Sequence, residues 1–249
     1  MMSFQSTSLL SVVKRQYFYK LKAYIGVFGA LMIVQIVGLL FSIGGGGMSG
    51  MSSGGISLSI GFYSGDIMIL FTMIWAVMIS ITITTKAYRN SDFTFVTTRF
   101  SRNLANMAFL LTVGSVGGVT AMLSGVLLKS IAFYTLGSEN VTIQHVSLVE
   151  FFIGIVATIL YVILFCAIGY FIGTLVQLSK ALVVFVPVLI LGIITVRVDP
   201  RSGDTIMIYT SQFFGGETSL LIFLSKIICT VSVLFICSVL LSNRLEARK

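Results

Sequence analysis

Long apolar runs alternate with short polar connections along this chain, and the length of the runs decides what they are. A helix that crosses the ~30 Å hydrocarbon core of a bilayer needs about 20 apolar residues, because it must pair every backbone amide within itself. Six runs approach or exceed that length: Ala23 to Ile43, Ile67 to Thr85, Ala105 to Leu128, Leu148 to Leu175, Ala181 to Val196 and Leu220 to Leu241. The pattern predicts an all-α integral membrane protein, with residues 1–249 forming a single transmembrane domain of six transmembrane helices. Two further helices are expected outside the spans: an N-terminal interfacial helix within residues 1–22, and a short cytoplasmic coupling helix within residues 86–104.

The first of these rests on Leu10, Val13, Tyr17 and Leu21, which recur at three- and four-residue spacing and share one helical face. Arg15 and Lys22 fall opposite, and Lys14 and Lys20 flank the stripe, where their stems can lie along lipid while the ammonium groups reach water or anionic headgroups. Such a helix lies in the interface, either as an inert positive anchor or as an elbow that also touches a cytoplasmic partner. In the second segment Asp92 is an N-cap candidate, after which Phe93, Val96, Phe100 and Leu104 fall on one stripe. Phe93 and Phe100 either bury in the bilayer interface or insert as knobs into a groove of a cytosolic protein, with Arg99 and Arg102 around them.

Composition strengthens the membrane reading. Hydrophobic residues make up 57% of the 249 positions and charged residues only 10%, where a soluble domain carries about 25% charged residues. The net charge of +8 would suggest nucleic-acid binding on a soluble chain, but here the placement of the charge matters more than its sum, and no nucleic-acid partner is expected. With the N-terminus inside, the segments on that side hold twelve of the 16 basic residues, among them Lys14, Arg15, Lys86, Arg89, Lys180 and Arg244. Asp92 and Glu246 are their only acidic neighbours. Cytoplasmic loops retain Lys and Arg, so the expectation is a multi-pass protein of the cell membrane with both termini cytoplasmic. The first apolar run is too long for a signal peptide's core and lacks an A-x-A site, so it is expected to stay uncleaved.

The stretch from Gly44 to Gly55, GGGGMSGMSSGG, reads as a flexible external loop, because ordering so many glycines is entropically costly. Its G-x-G-x-x-G at Gly45, Gly47 and Gly50 lacks the acidic residue and flanking elements of a dinucleotide site. Rows of small residues favour close helix packing in lipid: Gly114 with Gly118, Gly117 with Ala121 and Gly125, Gly169 with Gly173, and Gly26 with Ala30. Intramolecular packing is the simpler use of these rows, and a dimer interface the other. Pro187 should kink the fifth run. Residues 197–219 mix charges with apolar residues and form an external loop, either interfacial or re-entrant.

Chemistry-bearing residues are sparse. Cys166, Cys229 and Cys237 all lie in apolar runs, with neither an even count nor a metal-type spacing. His145 has no acidic or nucleophilic partner beside it, and Asn140-Val141-Thr142 is a short glycosylation-type pattern. No catalytic residue, cofactor or metal is expected, and the chain is not expected to be an enzyme. Lys226 alone lies well inside a run; it snorkels to the outer interface, pairs with Glu150 or Glu217, or lines an outer vestibule. An intramembrane enzyme needs facing ionisable groups, and a secondary transporter usually needs mid-span carboxylates; the runs contain neither.

Six spans, an amphipathic N-terminal helix, a basic segment Phe95-Val96-Thr97-Thr98-Arg99-Phe100-Ser101-Arg102 and a basic tail from Asn243 to Lys249 resemble the permease subunits of exporter-type ABC transporters. The resemblance implies a subunit that pairs with a second permease, a copy or a homologue, and binds cytosolic ABC ATPase subunits. It implies outward movement of an amphipathic substrate such as a peptide, antibiotic or lipid. ATPase coupling would then fall to Phe93, Val96, Arg99, Phe100 and Arg102. The sequence contains no G-x-x-x-x-G-K-[ST], so ATP hydrolysis would belong to a partner chain. The alternatives are a non-transporting immunity or sensor protein of the same shape, and a secondary transporter.

Overall fold

A computed structural model describes residues 8–44, 47–53, 56–62, 65–85, 88, 98–136, 147–178, 182, 185, 188, 192, 206–216 and 219–246. Apart from one small hairpin it is helical. In chain order the elements are α1 (Leu9–Ala23), α2 (Gly26–Gly44), β1 (Gly47–Ser53), β2 (Ile56–Phe62), α3 (Asp66–Thr84), α4 (Arg99–Leu136), α5 (Leu148–Leu178), α6 (Ile206–Gly215) and α7 (Leu220–Glu246). Five of them, α2, α3, α4, α5 and α7, are long and apolar enough to cross a membrane. These helices turn large apolar side chains outward, Leu40, Met78, Leu123, Phe152 and Leu221 among them. Water would penalise so much exposed apolar surface, whereas lipid does not. The chain is therefore a multi-pass membrane protein.

The run from Ala181 to Val196 lies outside the described residues except Leu182, Phe185, Val188 and Gly192, each of which is helical. The third span begins earlier than its hydropathy predicts. Thr98 caps α4, its hydroxyl accepting from Ser101 N at 3.4 Å, so Arg99 to Leu104 form the first turns of the spanning helix. Asp92, Phe93 and Val96 lie outside the described residues. At 38 residues α4 is about 57 Å long, well beyond the ~30 Å of hydrocarbon.

One expectation is overturned. Within the glycine-rich stretch, expected to be a loop, Gly47–Ser53 form a strand: β1 pairs antiparallel with β2 in continuous register from Gly47 opposite Phe62 to Ser53 opposite Ile56. The partner strand reads Ile-Ser-Leu-Ser-Ile-Gly-Phe, an apolar and polar alternation suited to a strand. Its ladder supplies the backbone hydrogen bonds that offset the entropy lost by the glycines.

The chain divides into two compact units. One comprises residues 1–21, 77–110 and 166–249, and the other residues 22–76 and 111–165. In the second unit the expected small rows pack within the molecule. A Cβ on Gly114 would stand 2.8 Å from the Ile163 side chain, and one on Gly118 2.6 Å from Ile159 Cα, so α4 and α5 touch through bare backbone. Gly117 faces Trp75, Thr72 and Val162, and Gly38 of α2 meets Met68 and Phe71 of α3. Polar side chains join the same helices: the Gln35 amide donates to Thr120 Oγ1 at 2.9 Å, and Ser124 Oγ donates to Gln35 Oε1 at 3.5 Å. In the first unit Gly169 and Gly173 of α5 admit Val77, Ser80 and Thr84 of α3, while Tyr170 meets Phe235 of α7 edge-on at 6.0 Å. A Cβ on Gly26 would meet nothing within 4 Å, so the Gly26 and Ala30 row is not closed at that glycine.

Candidate functional site

The first unit contains a buried polar junction built on α1, α3, α4, α5 and α7. It begins with α1, where Val13, Gln16 and Lys20 form the buried face. This corrects the sequence expectation for that helix. Lys20 does not reach water: it is 2% exposed, and its Nζ donates to Asn106 Oδ1 of α4 at 2.5 Å. The amide oxygen replaces the water that a snorkelling ammonium would seek, which makes burial tolerable. Leu10, expected on the apolar face, is 75% exposed, while Tyr17 and Leu21 are only half-buried. The stripe follows the three- and four-residue period, but its polar members turn inward.

One turn from Asn106, Asn103 Oδ1 accepts from the Tyr170 hydroxyl of α5 at 3.2 Å. The Gln177 side-chain amide donates to the carbonyl of Thr84 at the end of α3. These groups, with Arg102, Thr174 and Ser242, surround a cavity of about 20 Å³. That is room for about one water molecule. Three amide atoms in the unit are buried with no hydrogen-bond partner among the described residues: Gln16 Nε2, Gln16 Oε1 and Asn103 Nδ2. Asn103 lines the cavity, so a water there could accept from its nitrogen.

Of the expected coupling residues, Arg102 lines this cavity, Phe100 stands 51% exposed one residue beyond the first of α4, and Arg99 is that first residue. Phe93 and Val96 lie outside the described residues, as do His145, Glu217 and Asn140. Lys226 settles on α6: its Nζ sits 4.2 Å from the centre of the Phe213 ring and donates to the Phe213 carbonyl at 3.4 Å. The charge thus finds a cation–π and carbonyl partner inside the segment expected to be a loop, which in part is the ten-residue helix α6.

Lys20, Asn103, Asn106, Tyr170, Thr174 and Gln177 were not foreseen as a site. A signal was present, since Gln16 with Lys20, Asn103 with Asn106, and Thr174 with Gln177 repeat at three or four residues and mark inward faces. Among the described residues, no group of three or more His, Cys, Asp and Glu side chains could hold a metal ion. What the junction can do is mechanical. Hydrogen bonds run from α1 to α4, from α5 to α4 and from α5 to α3, so a shift at the start of α4 reaches its neighbours through directional contacts. Comparison with known proteins finds no match among family models, curated proteins or solved structures.

Proposed function

We propose that this chain is the membrane subunit of an ATP-driven exporter that moves an amphipathic or lipophilic cargo outward. Its energy comes from separate cytosolic ATPase subunits, and it works beside a second permease, either a copy of itself or a homologue. Both termini lie in the cytoplasm in this reading.

The observation that carries the proposal is the construction of α4. Its first turn presents Phe100 outward, and its next turns carry Arg102, Asn103 and Asn106 into the buried junction. A partner that grips the aromatic ring therefore acts on a helix about 57 Å long whose base is hydrogen-bonded to α1 and α5. A socket for Phe100 on an ATPase is the kind of contact that turns nucleotide-driven movement into helix movement. The absence of a phosphate-binding G-x-x-x-x-G-K-[ST] from the sequence fits a division of labour between chains.

Replacing Phe93 and Phe100 by Asp should abolish co-purification of the ATPase while the variant still inserts into membranes at its normal level. ATPase binding that survives both changes rejects this socket. Transport that stops when ATP hydrolysis is blocked separates an exporter from a non-transporting immunity or sensor protein.

A further inference from the structure

The second unit holds a larger cavity, about 360 Å³, at the start of α3, in the second half of α4 and at the start of α5. Its volume falls in the ~300–1,000 Å³ range of small-molecule sites. Ile69, Met122, Val126 and Phe151 give it apolar walls. Gly65, just before α3, and Gly125 of α4 also line it and approach each other closely: a Cβ on Gly65 would come within 3.1 Å of Gly125 Cα. Three charged groups line the same space, Asp66, Glu150 and Lys129. The Glu150 carboxylate is held by its own helix start, where Oε2 accepts from Ser147 N at 3.0 Å in an S-x-x-E capping arrangement.

We infer that this cavity binds an amphipathic amine, its apolar body against Met122 and Phe151 and its ammonium group toward Asp66 and Glu150. Charge complementarity chooses the occupant. Among the described residues the lining carries two carboxylates and one ammonium, a balance that favours a cation over an anion. Apolar walls with a few convergent polar groups are what fix the orientation of such a molecule. As an account of the cargo, the inference rests on the exporter proposal and narrows its substrate class to cationic amphiphiles.

The test uses the full chain in phosphatidylcholine nanodiscs without any ATPase, with monodansylcadaverine as the amine probe and N-pentyl dansylamide as its uncharged counterpart. Saturable fluorescence enhancement above that of empty nanodiscs is expected for the amine, with binding of the uncharged probe about ten-fold weaker. Asp66→Asn and Glu150→Gln should each weaken the amine about three- to ten-fold, and Lys129→Gln, which removes the competing cation, should tighten it. Glu150→Gln can keep the Ser147 cap, so its effect reports charge rather than folding. Gly125→Leu should remove binding by filling the space, and its melting temperature shows whether the variant is folded. Equal binding of the two probes, or indifference to both carboxylate changes, overturns the inference. Such a result leaves ATPase coupling standing, just as a missing ATPase would leave this ligand site standing.

Discussion

Replacing Gly118 with alanine adds one methyl group where α4 and α5 touch through backbone. The new Cβ would lie 2.6 Å from Ile159 Cα and 2.8 Å from Ile159 N. Carbon atoms in good contact lie about 3.5–4.0 Å apart, so the two helices must part locally by about 1 Å. Backbone atoms cannot swing aside as a side-chain tip can, and overpacking of this kind costs about 1–3 kcal/mol. Alanine also favours a helix over glycine by about 1 kcal/mol, which would mask part of the loss. Gly29→Ala in α2 supplies the correction, because its Cβ would meet nothing within 4 Å and carries the propensity gain alone. At about 2–4 °C per kcal/mol for a chain of this size, the Gly118 variant should melt about 2–12 °C below the Gly29 variant in the same detergent, followed by circular dichroism. Equal melting temperatures would refute the close crossing and, with it, the reading of the small-residue rows as internal packing.

Lys20→Met leaves Asn106 Oδ1 without the Lys20 donor and should cost about 1–3 kcal/mol in thermal unfolding. Asn106→Leu added to that variant should recover part of the loss, because the Asn106 amide oxygen is then no longer buried without the Lys20 donor; simple additivity of the two losses would contradict a direct bond. In a background lacking the native cysteines, new cysteines at Ser49 and Ile60, which face each other in the β1–β2 ladder, should join through a short bifunctional thiol reagent. Cysteines at Ser49 and Ser57 stand three rows out of register, about 10 Å along the strand, and should not; equal yields from the two pairs would remove the hairpin.

Apolar run length makes the spanning helices legible in the sequence, because the hydrocarbon thickness sets one number that hydropathy can be compared with. It placed α2, α3, α5 and α7 to within a few residues. It missed the early start of α4, since Arg99, Arg102 and Asn103 read as a polar connection until Thr98 is seen to cap the helix they begin. Glycine rows were readable as packing surfaces because the absence of side chains is itself the signal. Which helix receives each row, Ile159 and Ile163 of α5 for Gly118 and Gly114, is a matter of tertiary arrangement. The strand pairing was hidden by the entropic argument against glycine, which ignores a partner strand nine residues further on. The polar junction was hidden for a related reason. Lys20 taken alone belongs at the water interface, and only Asn106, 86 residues away in the chain, makes its burial tolerable.

We propose that this membrane chain draws its energy from another protein through the head of α4. The decisive measurement is affinity purification of the full chain from its native membrane in mild detergent, with identification of every attached chain. A co-purifying ATPase bearing G-x-x-x-x-G-K-[ST] is expected, lost when Phe93 and Phe100 are replaced by Asp. A purified lone chain that moves cargo across reconstituted vesicles with no nucleotide-hydrolysing companion would contradict it.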